Sequence, residues 1–253
     1  MRIMLNRLQE IYGLRAERQV DELLSKNSGR IYSYTTESIE AVTNALEAEG
    51  DDKVIAICGS GAQPLALLEN LGDGGHVAAV DFSKLQFEWT DLIKKLVEFG
   101  RKEKLAEVNI SPKERNWFMD DQRLASITAS LDKLSFEMMD VSERPTTNQR
   151  FSKGYFSNAP VNLKYFHPIF VEGALVHVAY CTSDLPDRPE RFLDVVSTKI
   201  GEDVRKLYEL DVEKTEEACR IEASRPVIYH KCLAEKHPYG LALFYTPAVF
   251  RRL

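Results

Sequence analysis

Val54-Ile55-Ala56-Ile57-Cys58 is apolar at every position and runs straight into Gly59-Ser60-Gly61. A strand with one wet face alternates polar and apolar residues, so a run apolar on both faces predicts a central strand of a parallel sheet with helices above and below. An apolar helix follows to about Leu71, and His76–Asp81 (HVAAVD) then repeats the strand pattern. From Lys84 to about Lys104 the residues Leu85, Trp89, Leu92, Ile93 and Leu96 line one face of a second helix. After a helix-rich interlude at about 113–133, Ser135–Asp140 predicts a third strand. Gly154–Phe156 predicts a short fourth, ending in Ser157-Asn158-Ala159-Pro160, and Ala174–Cys181 a fifth.

The two ends differ from this middle. Residues 1–50 read as helices over 2–12, 15–26 and 36–49, broken at Gly13, Ser28-Gly29 and Gly50, and form a helical lid on a core of residues 51–253. Towards the C-terminus, Phe192 to Leu207 marks an amphipathic helix, and the charge-rich stretch Glu202–Glu222 reads as solvated helix faces. Val227–Leu233 and Leu241–Thr246, joined across Pro238 and Gly240, predict a hairpin. Strands alternating with helices, then a hairpin, predict an open α/β sheet with helices on both faces.

The 253 residues carry 33 Lys+Arg against 39 Asp+Glu, a formal net charge of −6, with 44% hydrophobic residues. This composition excludes a disordered or disulfide-dense chain and argues against a nucleic-acid partner. No apolar run approaches the ~20 residues that cross a bilayer, and MRIMLNRLQEIYGL lacks the apolar core of a signal peptide. Cys58, Cys181, Cys219 and Cys232 lie far apart, so reduced thiols in a cytoplasmic protein without a metal are expected. His167, His177 and His230 fall in or beside apolar elements and read as packed rather than ligating, and His237 as a turn residue.

A glycine turn between a strand and its helix lets a ligand approach the backbone, and an acid about 20 positions on, at the end of the second strand, can accept hydrogen bonds from both ribose hydroxyls. Gly59, Ser60, Gly61 and Asp81 therefore read as a nucleoside-binding set, the alternative being a glycine turn in a ligand-free α/β domain. Pro64 replaces the third glycine of G-x-G-x-x-G, which argues against a pyrophosphate and so against NAD or FAD.

The block at about 54–86, with weaker matches at 135–160, resembles class I S-adenosylmethionine-dependent methyltransferases. That resemblance implies a Rossmann-like, mostly parallel seven-stranded sheet with a C-terminal antiparallel hairpin. It implies S-adenosylmethionine as co-substrate, with Asp140 at the adenine amine, Met139 over the ring, and Ser157 and Asn158 on the pocket floor. Asp140 reads equally as a helix cap, and Ser157-Asn158 as a polar turn before Pro160. Within that superfamily, Gly59-Ser60-Gly61-Ala62-Gln63-Pro64-Leu65 is similar to the GSGxxPL loop of nicotianamine synthases. Val80-Asp81-Phe82-Ser83-Lys84-Leu85-Gln86 is similar to the AVDxNxxQ stretch of betaine-lipid aminocarboxypropyl transferases, and Phe156-Ser157-Asn158 to their LSN motif. Phe82 joins the cofactor-binding set through this match. Typical methyltransferases carry an acid two residues before the first glycine, where it binds the ammonium of the methionine moiety; here that position is Ile57.

Both families move the 3-amino-3-carboxypropyl arm of S-adenosylmethionine and leave methylthioadenosine. The resemblance thus implies a transferase acting on a small-molecule amine, with a lipid acceptor also open. Small-molecule methylation releasing S-adenosylhomocysteine, and intramolecular cyclisation at Cγ, are the alternatives. Once the arm is turned, its ammonium needs an anion. Glu37 could supply it, with Tyr32 and Tyr34 against the sulfonium and one of these groups taking the acceptor's proton. Glu37 also suits the first turn of a helix, and the tyrosines a buried strand-like pair.

Overall fold

The computed structural model describes residues 2–27, 37–108, 117–157, 161–182, 202–223 and 244–253. The chain begins with one continuous helix, α1 (Arg2–Asn27), where the sequence predicts two. Gly13 sits inside it, because a Cβ there would lie 2.8 Å from the Arg101 side chain; the glycine admits a neighbour rather than breaking the helix. α2 (Ile39–Leu46) is shorter than the expected 36–49, with Ser38 as its N-cap.

The helix expected from Lys84 to about Lys104 ends at Glu98, and the β–α units otherwise follow. They are β1 (Lys53–Ile57), α3 (Ala62–Ala66), β2 (His76–Asp81), α4 (Lys84–Glu98), α5 (Lys102–Val108), α6 (Asp121–Ala129) and β3 (Leu134–Met138). Beyond them lie β4 (Phe151–Ser157), α7 (Leu163–Phe166), β5 (Phe170–Thr182), α8 (Glu202–Arg205), β6 (Tyr208–Leu210), α9 (Val212–Ala223) and β7 (Phe244–Arg252).

The strands form one seven-stranded sheet in the order β3-β2-β1-β4-β5-β7-β6. β1 to β5 run parallel, and β7 lies antiparallel between β5 and β6. This is a doubly wound Rossmann-like sheet with one reversed strand inserted near an edge, the arrangement expected of the class I transferase fold. The terminal antiparallel pair is present, but β6 supplies its first strand. Tyr208-Glu209-Leu210 interrupts what the sequence presents as solvated helix faces: Tyr208 is buried between Phe250 and His167, while Glu209 faces outward. The expected strand at 227–233 and its turn lie outside the described residues, as does most of the helix expected from Phe192.

Alternate residues of the strands divide between two cores. Val54, Ala56, Val77, Ala79, Tyr155, Leu175 and Val249 face the layer that contains α1, α2 and α4. Ile55, Ala78, Val80, Phe156, Val176 and Phe250 face α7, α8 and Tyr208. α1 packs on α4, and α2 on α9 and β5. No helix among the described residues is long and apolar enough to cross a membrane.

Candidate functional site

The strand order reverses between β1 and β4, which leaves a crevice beyond their carboxyl ends. Four chain segments converge there: the loop after β1, the end of β2, the end of β4, and the residues just before α2.

The loop after β1 turns through Gly59 at φ +47° and Gly61 at φ +86°, both left-handed values that disfavour a side chain. Among the described residues nothing lies within 4 Å of where a Gly59 Cβ would sit, whereas a Gly61 Cβ would meet Thr90 Cγ2 at 3.1 Å. The Gly61 N–H donates to the Cys58 carbonyl at 2.7 Å, closing the turn, and the Ala62 N–H donates to Ser60 Oγ at 3.3 Å. The loop is held from α4: Gln86 Nε2 donates to the Gly59 carbonyl, and Trp89 Nε1 to the Ser60 carbonyl at 3.0 Å.

Asp81 ends β2 nearly buried, with Oδ1 accepting the Ser83 N–H at 3.0 Å. Burial raises its pKa, and the Ser83 and Phe82 N–H groups oppose the rise. Asp81 is close enough to raise, together with burial, the pKa of the Cys58 thiol, which is therefore a small apolar group rather than a nucleophile. Phe82 is 77% exposed beside Asp81.

A buried polar cluster gathers around Glu37. This residue precedes the α2 N-cap rather than lying in a helical turn, and it is only 2% exposed. Tyr155 Oη donates to one carboxylate oxygen and Ser157 Oγ to the other. Tyr155 pairs with Ala56 in the β1–β4 register. Two residues further along both strands bring Ser157 level with Cys58, so the carboxylate lies at the β4 side of the glycine loop. Beneath the Tyr155 ring lies His177 of β5, ring centroids 5.7 Å apart.

The expected site residues thus divide. Gly59, Ser60, Gly61 and Asp81 share the crevice mouth, and Glu37 and Ser157 are in contact. β3 ends at Met138, one residue before Met139 and two before Asp140. Met139 packs partly against the second core, and the neighbouring Met138 is 54% exposed. Asp140 is exposed, and its Oδ1 accepts the Ser142 N–H at 2.9 Å and Oγ–H at 2.6 Å, bonds that hold its pKa low. That carboxylate is bound into its own turn, a relative of the capping alternative. Tyr32, Tyr34 and Asn158 lie outside the described residues. Sequence reasoning missed Tyr155, whose partner is 118 positions away, and it took Trp89 for core alone. The Gln86 contact had one signal, its place in the stretch that follows Asp81. No group of three or more His, Cys, Asp or Glu among the described residues is arranged to hold a metal ion.

No family model matches the chain, and no curated protein matches it. Solved structures that resemble it include the [4+2]-cyclase SpnF, at 12% identity over 97% of this chain and 95% of that one, with a TM-score of 0.48. A SAM-dependent methyltransferase from Thiobacillus denitrificans in complex with S-adenosyl-L-homocysteine is 10% identical over 91% and 96% of the two chains, with a TM-score of 0.49. YjhP from E. coli is 10% identical over 91% and 97%, with a TM-score of 0.46. The fold assignment rests on the order and directions of the chain's own strands.

Proposed function

We propose that the chain is an S-adenosylmethionine-dependent transferase that moves the 3-amino-3-carboxypropyl arm onto a small-molecule amine and releases methylthioadenosine. The observation that carries this reading is the buried Glu37 carboxylate between Tyr155 and Ser157, beside a first strand that offers Ile57 where an acid would bind the ammonium of a methyl donor. A carboxylate accepts charge-assisted hydrogen bonds, and a primary ammonium is a strong donor for one.

S-adenosylmethionine brings a sulfonium whose attached carbons are open to displacement. The residues of the chain select among those carbons by position. Asp81 is suited to accept from the ribose hydroxyls, and Gly59 leaves room for backbone approach. Glu37 would hold the ammonium so that Cγ, rather than the methyl group, faces the acceptor. The acceptor nitrogen bonds to Cγ as the Cγ–S bond breaks, and the electron pair leaves on sulfur as a neutral thioether. The proton lost by the amine passes to the Glu37 carboxylate, directly or relayed through the Tyr155 hydroxyl that donates to it. The N-terminal 50 residues act in this scheme as a lid that carries Glu37 to the strand ends.

The test is mass spectrometry of the nucleoside formed from S-adenosylmethionine with a panel of amines. Methylthioadenosine formed only with an amine present supports the reading, and Glu37→Gln should then lower kcat/KM by about 10²-fold or more. S-adenosylhomocysteine as the product would establish methylation in its place. Methylthioadenosine formed above the uncatalysed rate without any added amine, together with a ring closed through the arm's own nitrogen, would establish cyclisation.

A further inference from the structure

α9 lies antiparallel against α2 and grips it along its length. Lys214 pairs with Glu47, the C-cap of α2, at 2.8 Å. Asn44 Nδ2 donates to Glu217 Oε1 at 3.4 Å, and the Ser38 N–H donates to Glu222 Oε1 at 2.6 Å. α9 is itself fixed to the sheet, where Thr215 Oγ1 accepts the Val249 N–H of β7 at 3.0 Å. In the sequence Glu222 ends a charge run that reads as solvated. In the fold it is half-buried at the start of α2, where a carboxylate also meets the positive end of a helix.

The N-cap N–H of a helix has no partner within the helix, and in a capping box a Glu or Gln three residues on accepts it. In α2 that position is Ala41, so a carboxylate 184 positions away takes the bond instead. Ser38 is then held at three groups: its N–H by Glu222, its Oγ by the Ala41 N–H at 3.2 Å, and its carbonyl by the Val42 N–H at 3.3 Å. The Ser38 N–H lies in one rigid plane with the Glu37 carbonyl and the Glu37 Cα. Rotation about the Ser38 N–Cα bond would swing that plane and carry Glu37 with it, and the bond to Glu222 opposes this rotation. From the Cα so placed, the Glu37 carboxylate reaches Tyr155 and Ser157.

We propose that Glu222 is a positioning residue for the site: it completes the cap of α2 from another helix and so holds Glu37 where its carboxylate meets the ammonium of the amino-acid arm. This rests on the reading of Glu37 given above.

The experiment is titration calorimetry of the full chain with S-adenosylmethionine, which carries the ammonium, and with methylthioadenosine, which lacks the arm. Glu222→Asp keeps the charge and withdraws the carboxylate by one methylene, whereas Glu222→Gln keeps the reach and an acceptor oxygen. Glu222→Asp should raise the Kd of S-adenosylmethionine about tenfold and that of methylthioadenosine less than about twofold. Glu222→Gln should bind S-adenosylmethionine within about threefold of the unaltered chain. With Glu37→Gln already in place, Glu222→Asp should weaken S-adenosylmethionine by less than about a further twofold, because the two residues act as one unit. Equal weakening of both ligands would mark a structural role and overturn the proposal. A full loss that persists without the Glu37 carboxylate, or unchanged affinity in Glu222→Asp, would overturn it too. Glu37→Gln alone separates the two readings. If it leaves S-adenosylmethionine bound as before, the assignment of Glu37 fails and takes this proposal with it; if it weakens binding while Glu222→Asp does not, this proposal fails alone. Glu222→Met, of similar length and without an acceptor oxygen, keeps the comparison decisive should Glu222→Asp fail to fold.

Discussion

His177 is buried in the middle of β5 against Tyr155, and neither ring nitrogen has a hydrogen-bond partner among the described residues. Burial pushes its pKa down to about 4 from an ordinary 6.5. The folded chain therefore keeps this ring neutral where the unfolded chain protonates it. The associated stability is complete above pH 6.5 and is lost as pH falls through that value towards 4. At about 1.4 kcal/mol per pKa unit, the loss by pH 4 approaches about 3 kcal/mol. Urea unfolding of His177→Phe against the unaltered chain should differ little at pH 7.5 and favour the variant by about 2 kcal/mol at pH 4.5; equal acid sensitivity would show that another group is responsible. The packed reading of His177 was available from its apolar neighbours, and the neighbouring Tyr155–Glu37 contact was not. Tyr155 lies in a strand of mixed composition, FSKGYFS, that marks no partner for it, and Glu37 lies just before a helix. What joins them is a sheet register and a segment crossing, both properties of tertiary structure.

At the scale of elements, the legible parts were those whose burial is complete. β1 and β2 are enclosed on both faces, so composition alone marks them, and the glycine turn between β1 and α3 marks its own backbone angles. β6 was illegible because only Tyr208 is buried in three residues at the sheet edge, surrounded by charge. Gly13 misled for the opposite reason: a residue that usually ends helices was selected by the closeness of Arg101. α2 is the element on which the candidate site depends, since Glu37 precedes it directly. Ser38 Oγ accepts the Ala41 N–H at 3.2 Å, and the Ser38 N–H donates to Glu222 Oε1 of α9 at 2.6 Å. Ser38→Ala removes the first bond and keeps the second, and should cost about 1 kcal/mol, a fall of about 2–4 °C in Tm. Ser38→Thr, which retains the hydroxyl, should melt close to the unaltered chain. A melt of Ser38→Ala indistinguishable from both would show that packing on α9 holds α2 without its cap.

Across the whole molecule, the crevice draws on segments from residue 37 to residue 157, so a ligand seated there is gripped by parts of the chain that unfolding separates. Binding to the folded state alone stabilises it by mass action, about 2.7 kcal/mol at a ligand concentration of one hundred times Kd. Under the proposed function, S-adenosylmethionine at that excess should raise Tm by roughly 5–10 °C, read by differential scanning fluorimetry. NAD at equal concentration should leave Tm unchanged, since Pro64 stands where a pyrophosphate loop needs its third glycine; a shift with NAD and none with S-adenosylmethionine would reverse the ligand assignment.

The reversed strand imposes an order of assembly. β7 follows every other strand in the chain yet lies between two of them, and among the described residues β6 joins the sheet through β7 alone. During synthesis β1 to β5 can pair as they emerge, but β5 must hold an unpaired edge until a much later segment arrives to cover it. Unpaired edges recruit other chains. The interval between the emergence of β5 and that of β7 is therefore one in which the nascent polypeptide carries an open edge prone to aggregate, and slow translation across it would lengthen that exposure.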